Sequence, residues 1–153
     1  MQISHNNVIK YALTIYITIQ LLLPLRHFLI KGNVDWTGEG IMYSWRMKSV
    51  ARYRGDLKII LFDKDSKKLK VDLYLPKHQQ KILFYKPVLF LQLRDYLLQK
   101  TNRKKENTIM NVIATASING SKLSYLIYPN IDLCKVEYNK WSHNKFITST
   151  PKR

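Results

Sequence analysis

The side chains that could do chemistry in this chain are mostly cations and aromatics, and they cluster once. Arg46, Lys48, Arg52 and Arg54 fall within nine residues, interleaved with Tyr43, Trp45 and Met47 and preceded by Trp36. On an extended strand the four cations share one face, and Tyr43, Trp45 and Met47 share the other. A guanidinium fork framed by aromatics suits a carboxylate or a phosphate. Arg46 and Arg52, framed by Trp36, Tyr43 and Trp45, are therefore the candidates for holding an acidic substrate or a lipid headgroup.

Other chemistry is thinly represented. His5, His27, His78 and His143 are scattered without metal-ligand spacing, so no metal site and no catalytic residue is assigned. No glycine-rich phosphate loop occurs. Asp63 and Asp65 lie in a lysine-rich stretch that reads as a turn with local charge pairing. Asp132 reads as a backbone cap. The single cysteine, Cys134, excludes an internal disulfide; its neighbours Ile131, Leu133 and Val136 predict a buried, inert thiol. A net charge of +16 favours phosphates, anionic lipid or acidic partners. The cations outside the first cluster sit in separate turns, and no nucleic-acid motif is present, so nucleic acid is not the expected partner.

The elements that position these residues begin with an apolar segment. Tyr11 to Leu25 carries no charge over 15 residues, and extends if Lys10 snorkels. A signal peptide and a buried soluble helix compete with a membrane anchor. Pro24, Arg26 and Trp36 favour the anchor: a breaker, a cation at headgroup level, an aromatic at the interface. Residues 1–25 are therefore read as an anchor in the lipid bilayer, 26–148 as an extramembrane domain, and 149–153 as a basic tail.

Within the domain, Ile41 to Arg52 reads as a strand and Tyr53-Arg-Gly-Asp56 as a turn. Leu57 to Leu75 reads as a hairpin. Pro76 to Tyr85 and Pro87 to Lys100 read as helices, the second with Val88, Leu89, Leu93, Tyr96 and Leu97 as its apolar stripe. Thr108 to Ile118 alternates, with Met110, Val112, Ala114, Ala116 and Ile118 on one face. Asn119-Gly120 predicts a type I′ turn, which needs positive φ at both central positions. Leu123 to Tyr128 is the returning strand. Trp141 and Phe146 are docking points for the polar tail. The fold class is α+β: an anchor helix, a small antiparallel sheet from two hairpins, and a helical pair between them.

Several blocks carry a resemblance. Gln20-Leu-Leu-Leu-Pro-Leu-Arg-His-Phe-Leu29, Gly32-Asn-Val-Asp-Trp-Thr37, Glu39-Gly40, Tyr43-Ser-Trp-Arg-Met47, Tyr74-Leu-Pro-Lys-His-Gln-Gln80, Ser117-Ile-Asn-Gly120 and Pro129-Asn-Ile-Asp-Leu133 resemble the vitamin K-dependent gamma-glutamyl carboxylase family. This includes bacterial relatives with the horizontally transferred transmembrane domain. The likeness runs from about residue 15 to 148. Ser121 and Tyr128 stand where the family pattern has arginine and aspartate.

The resemblance implies a multi-helix membrane enzyme with this domain after its last helices, on the luminal or extracytoplasmic side. The lysine and arginine excess after the anchor argues for the opposite side. It further implies oxidation of vitamin K hydroquinone, and a strong base that takes a γ-proton from peptidyl glutamate before carbon dioxide adds. The basic lysine of the family belongs to the membrane portion. This chain is thus expected to bind no cofactor alone, to be a fragment, and to need membrane helices it lacks as partner, with a glutamate-containing peptide as substrate. The alternative is a non-catalytic basic module that binds the membrane surface.

Overall fold

The computed structural model describes residues 5–42, 44, 50–65, 67–69 and 74–150. Helix α1 runs His5–Leu25, longer than the uncharged run because Lys10 sits in its second turn without interrupting it. The apolar helical stretch Asn7–Leu29 is 23 residues, and its α-helical part up to Leu25 is about 28 Å long at 1.5 Å per residue, which matches a hydrocarbon core of ~30 Å. Every residue from Asn7 to Leu23 is exposed. Its apolar side chains therefore cover no core of this domain, which removes the buried-soluble-helix reading. Thr14 and Thr18 donate their hydroxyls to the carbonyls four residues back, at 2.9 and 2.8 Å, so neither needs water. Pro24 lies inside the last turn, and the chain tightens into a 3-10 turn over Arg26–Leu29.

A four-residue helix α2 (Val34–Thr37) follows, then strands β1 (Arg52–Asp63) and β2 (Lys68–Leu69), helices α3 (Lys77–Tyr85) and α4 (Leu89–Lys100), and strands β3 (Thr108–Ile118) and β4 (Ser124–Tyr125). The sheet order is β2-β1-β3-β4, antiparallel throughout. The two hairpins thus join through β1 and β3 into one sheet. The α+β class and the helical pair between the hairpins hold.

Tyr53 to Asp56 is not a turn but part of β1. Arg-Gly-Asp loosens the ladder only locally, as a register shift between Arg54 and Leu57. The Asp56 amide donates to Thr115 Oγ1 at 2.8 Å, and a Cβ on Gly55 would stand 2.3 Å from that oxygen. Glycine here admits a cross-strand hydroxyl. Of the stretch expected as a strand from Ile41, only Arg52 is one among the described residues; 43 and 45–49 lie outside them. The second arm of the first hairpin is paired at Lys68 and Leu69 only, and 70–73 lie outside the described residues. The returning strand is shorter than expected, with an isolated bridge from Ile127 to Ile147 beyond it. Asn119 and Gly120 take φ of 49° and 76°, and the Ser121 amide donates to Ile118 O at 2.9 Å, closing the expected turn.

The core lies between the sheet and the helices. Met110, Val112, Ala114 and Ala116 point into it as the alternation requires, and meet Phe84, Phe90, Leu97, Leu126 and Leu133. The α4 stripe is rotated from the expected one: Phe90, Leu93, Arg94, Leu97 and Leu98 are buried and Tyr96 is exposed. Arg94 is the surprise, at 5% exposure. It donates to the carbonyls of Leu133 and Val136 at 2.7 and 2.6 Å, and to Asp95 Oδ1 at 2.9 Å. A buried cation is tolerated here because backbone and an acid surround it. Asp132 caps the adjoining 3-10 turn, accepting from the Cys134 and Met110 amides at 3.0 Å each. Asp63 pairs with Arg103 at 2.7 Å in the lysine-rich turn.

Arg94→Ala leaves two buried carbonyls unpaired. It is expected to cost about 1–3 kcal/mol for each, measured by denaturant unfolding. Burial pushes the Cys134 thiol up from 9.0 to about 11. The folded protein therefore keeps its proton after the unfolded chain has lost it, so this group's stabilisation is complete below pH 9 and is lost between pH 9 and 11. Cys134→Ala is expected to flatten the stability–pH curve in that window and nowhere below it.

Candidate functional site

The site forms where α1 leaves its helix. The exit loop needs anchoring because its backbone turns sharply and Trp36 must find a core. Trp36 is wholly buried, and its indole N–H donates to Thr148 Oγ1 at 2.7 Å. It is a core residue, not the interfacial aromatic that its spacing from Pro24 implied. Alongside, the Asn33 amide donates to Ser149 O at 2.8 Å.

Three residues later, Glu39 places a carboxylate in the interior. A buried carboxylate persists only with donors around it. Glu39 Oε1 accepts from the Asn144 amide at 2.9 Å and from Asn144 Nδ2 at 2.8 Å. Oε2 accepts from His143 Nδ1 at 2.5 Å. The exit loop is thus clamped to a C-terminal strap, residues 139–149. Phe146, a suggested docking point, is the strap's core anchor at 1% exposure. Trp141 is the opposite, 71% exposed.

A small cavity of about 100 Å³ opens beside this clamp, lined by Arg26, Ile30, Glu39, Met42, Lys86 and Tyr138 among others. Both Glu39 oxygens accept hydrogen bonds from the strap, and the other charged residues of the lining are all cations: Arg26, Lys86 and Lys140. Arg26 lies 5.5 Å from the Trp141 ring centroid, and Lys140 lies 5.3 Å from it on the same strap.

Arg52 is brought to this region, but its fork faces inward. Its guanidinium donates to the carbonyls of Asp35 and Phe84, and to that of Trp36 at 2.8 Å. It lies 5.3 Å from the Tyr85 ring and 5.9 Å from that of Trp36. Desolvation lowers its pKa, partly offset by Tyr85 and Asp35. Arg52 therefore ties β1 to the exit loop and α3. Arg46, Tyr43 and Trp45 lie outside the described residues, directly after Met42 in sequence. Glu39, His143, Asn144 and Arg94 were missed by sequence reasoning. Nothing local marks them, since their partners are about 40 to 105 residues away. Among the described residues, no group of three or more His, Cys, Asp or Glu could hold a metal ion.

A family model described as vitamin K-dependent gamma-carboxylase, lumenal domain, matches residues 5–153. The chain belongs to this family. No curated protein and no solved structure matches. In this gamma-carboxylase lumenal domain the clamp joins the segment after the apolar helix to the end of the chain. The family's hydroquinone does not fit this cavity, which is well below the ~300 Å³ at which small-molecule pockets begin. The wider clefts, such as the one of about 710 Å³ between Tyr74, Gln92 and Tyr96, are open to solvent.

Glu39→Ala removes three charge-assisted hydrogen bonds. It is expected to cost about 3 kcal/mol and to make the strap the first site of proteolytic cutting, while the β1–β3 ladder stays resistant. Cutting at the same site and rate as in the wild type would contradict the clamp.

Proposed function

We propose that this domain is held on the extracytoplasmic face of a membrane by α1, and presents glutamate-containing peptides to membrane helices that carry out a gamma-carboxylase-like reaction. The observation that carries this reading is the cation-rimmed cavity at the end of an exposed apolar helix, within a family match that includes that helix. In the family's reaction, oxidation of vitamin K hydroquinone supplies the base. The glutamate γ-proton leaves to that base, and the carbanion's electron pair forms the bond to carbon dioxide. Hydroquinone and base belong to neighbouring helices in this reading, those of the horizontally transferred transmembrane type.

This domain's part is binding. Lys86, in the cavity lining, receives the substrate carboxylate; Arg46, Tyr43 and Trp45, which lie outside the described residues, are the candidates that the sequence adds for the same role. Arg52 and Trp36 support it from beneath, through backbone and packing. A carboxylate held by a cation gains the energy of a charge-assisted hydrogen bond, which an amide does not.

The test is peptide binding to the full chain in micelles. A glutamate-containing peptide is expected to bind about tenfold or more tightly than its glutamine analogue, a difference that Lys86→Ala and Arg46→Ala each reduce. Equal binding of the two peptides contradicts the presenting role. The alternative, a non-catalytic basic module on the membrane surface, draws on the +16 charge. It is favoured if the chain stays with alkali-washed membranes yet supports no carbon dioxide incorporation when supplied with a relative's membrane helices and vitamin K hydroquinone.

A further inference from the structure

The geometry points to the strap loop around Trp141 as a second membrane contact: it lies in the anionic headgroup layer of the bilayer that α1 crosses. This rests on the reading of α1 as a membrane helix.

An exposed tryptophan at the surface of a soluble face is ordinarily a mobile side chain on a mobile loop. Trp141 sits on a built one. Asn139 Oδ1 accepts from the amides of Trp141 and Ser142 at 2.9 and 3.1 Å. Asn144, itself buried, accepts from the Asn139 amide at 2.8 Å and donates to the Asn139 carbonyl at 2.9 Å. Glu39 then fixes Asn144. The fold therefore holds a large amphipathic ring in the open, with two cations against it and most of its apolar surface uncovered.

Its surroundings say what it meets. Arg26, the first residue after α1, lies against the ring, so Trp141 is at the depth where the helix leaves the hydrocarbon. Beside Arg26, Phe28 and Leu29 are 74% and 86% exposed, an apolar pair at the same level. The charges are of one sign: Arg26, Lys31, Lys140 and Lys145, with no acidic residue within 26–31 or 138–153. An apolar and aromatic patch set among cations is complementary to a headgroup layer with anionic lipid. The Nε of Arg26 is buried and, among the described residues, has no hydrogen-bond partner.

The consequence is that the domain lies down on the bilayer, held at two points, rather than hanging from a single helix. The cavity beside the clamp then opens close to the membrane surface.

The test uses the full chain in nanodiscs, with single nitroxide labels on Leu29→Cys or Ser142→Cys. Cys134 is buried and stays unlabelled. Depth is read from collision with oxygen and with a water-soluble relaxation agent. Both labels are expected at headgroup depth in discs containing phosphatidylserine. In pure phosphatidylcholine, or with Lys140→Glu, the Ser142 label is expected to shift towards water; one cation at an anionic surface strengthens contact about fivefold. A Leu29 label at headgroup depth with a fully aqueous Ser142 label overturns the second contact alone. Headgroup depth that ignores lipid charge overturns the anionic preference. Failure of the chain to enter discs overturns the reading of α1 and this inference with it.

Discussion

A carboxylate inside a protein must be surrounded by donors, and at Glu39 those donors come from the other end of the chain. That requirement organises the molecule. His143 and Asn144 reach Glu39 only if the last residues run back beside the exit of α1. Once they do, Trp36 finds Thr148, Asn33 finds Ser149, and Phe146 and Ile147 close the core edge beside Leu126 and Ile127. The strap turns an apolar helix followed by a sheet into one structure, with a cation-rimmed cavity at the joint.

The second constraint is charge. A chain at +16 cannot neutralise its cations internally, and it uses two of its arginines as braces instead. Arg52 gathers backbone carbonyls from α2 and α3, and Arg94 gathers two from the 3-10 turn around Leu133; in each case the planar fork meets several acceptors at once. What remains positive lies on the surface. Part of it collects beside the helix exit, which is where a phosphate-rich layer or an acidic peptide would be found.

Local pattern made some of this legible. The alternation from Met110 to Ala116, the Asn119-Gly120 turn and the proline-led helices are each settled within a few residues by period and backbone sterics, and they stand as read. The helix extends back past Lys10, as the snorkelling reading allowed, since a lysine in the second turn does not stop it. What failed was whatever depends on distant partners. Tyr53 to Asp56 looks like a turn until β3 supplies Thr115 across the ladder. Trp36 looks interfacial until Thr148 accepts its N–H. Trp141, the tryptophan that does face outward beside Arg26, carries no local signal. The family likeness, read from about residue 15 to 148 on short blocks such as Gly32-Asn-Val-Asp-Trp-Thr37, agrees with the family match over residues 5–153.

The clamp between the helix exit and the strap is tested most directly by amide hydrogen exchange at Asn144, whose N–H donates to Glu39 Oε1. If the clamp orders the joint, that amide exchanges nearly as slowly as those of Val112 and Ala114 in the central ladder. Exchange at the rate of a free peptide, with the ladder still protected, would show a strap that only rests on the domain, and the site built on it would fall.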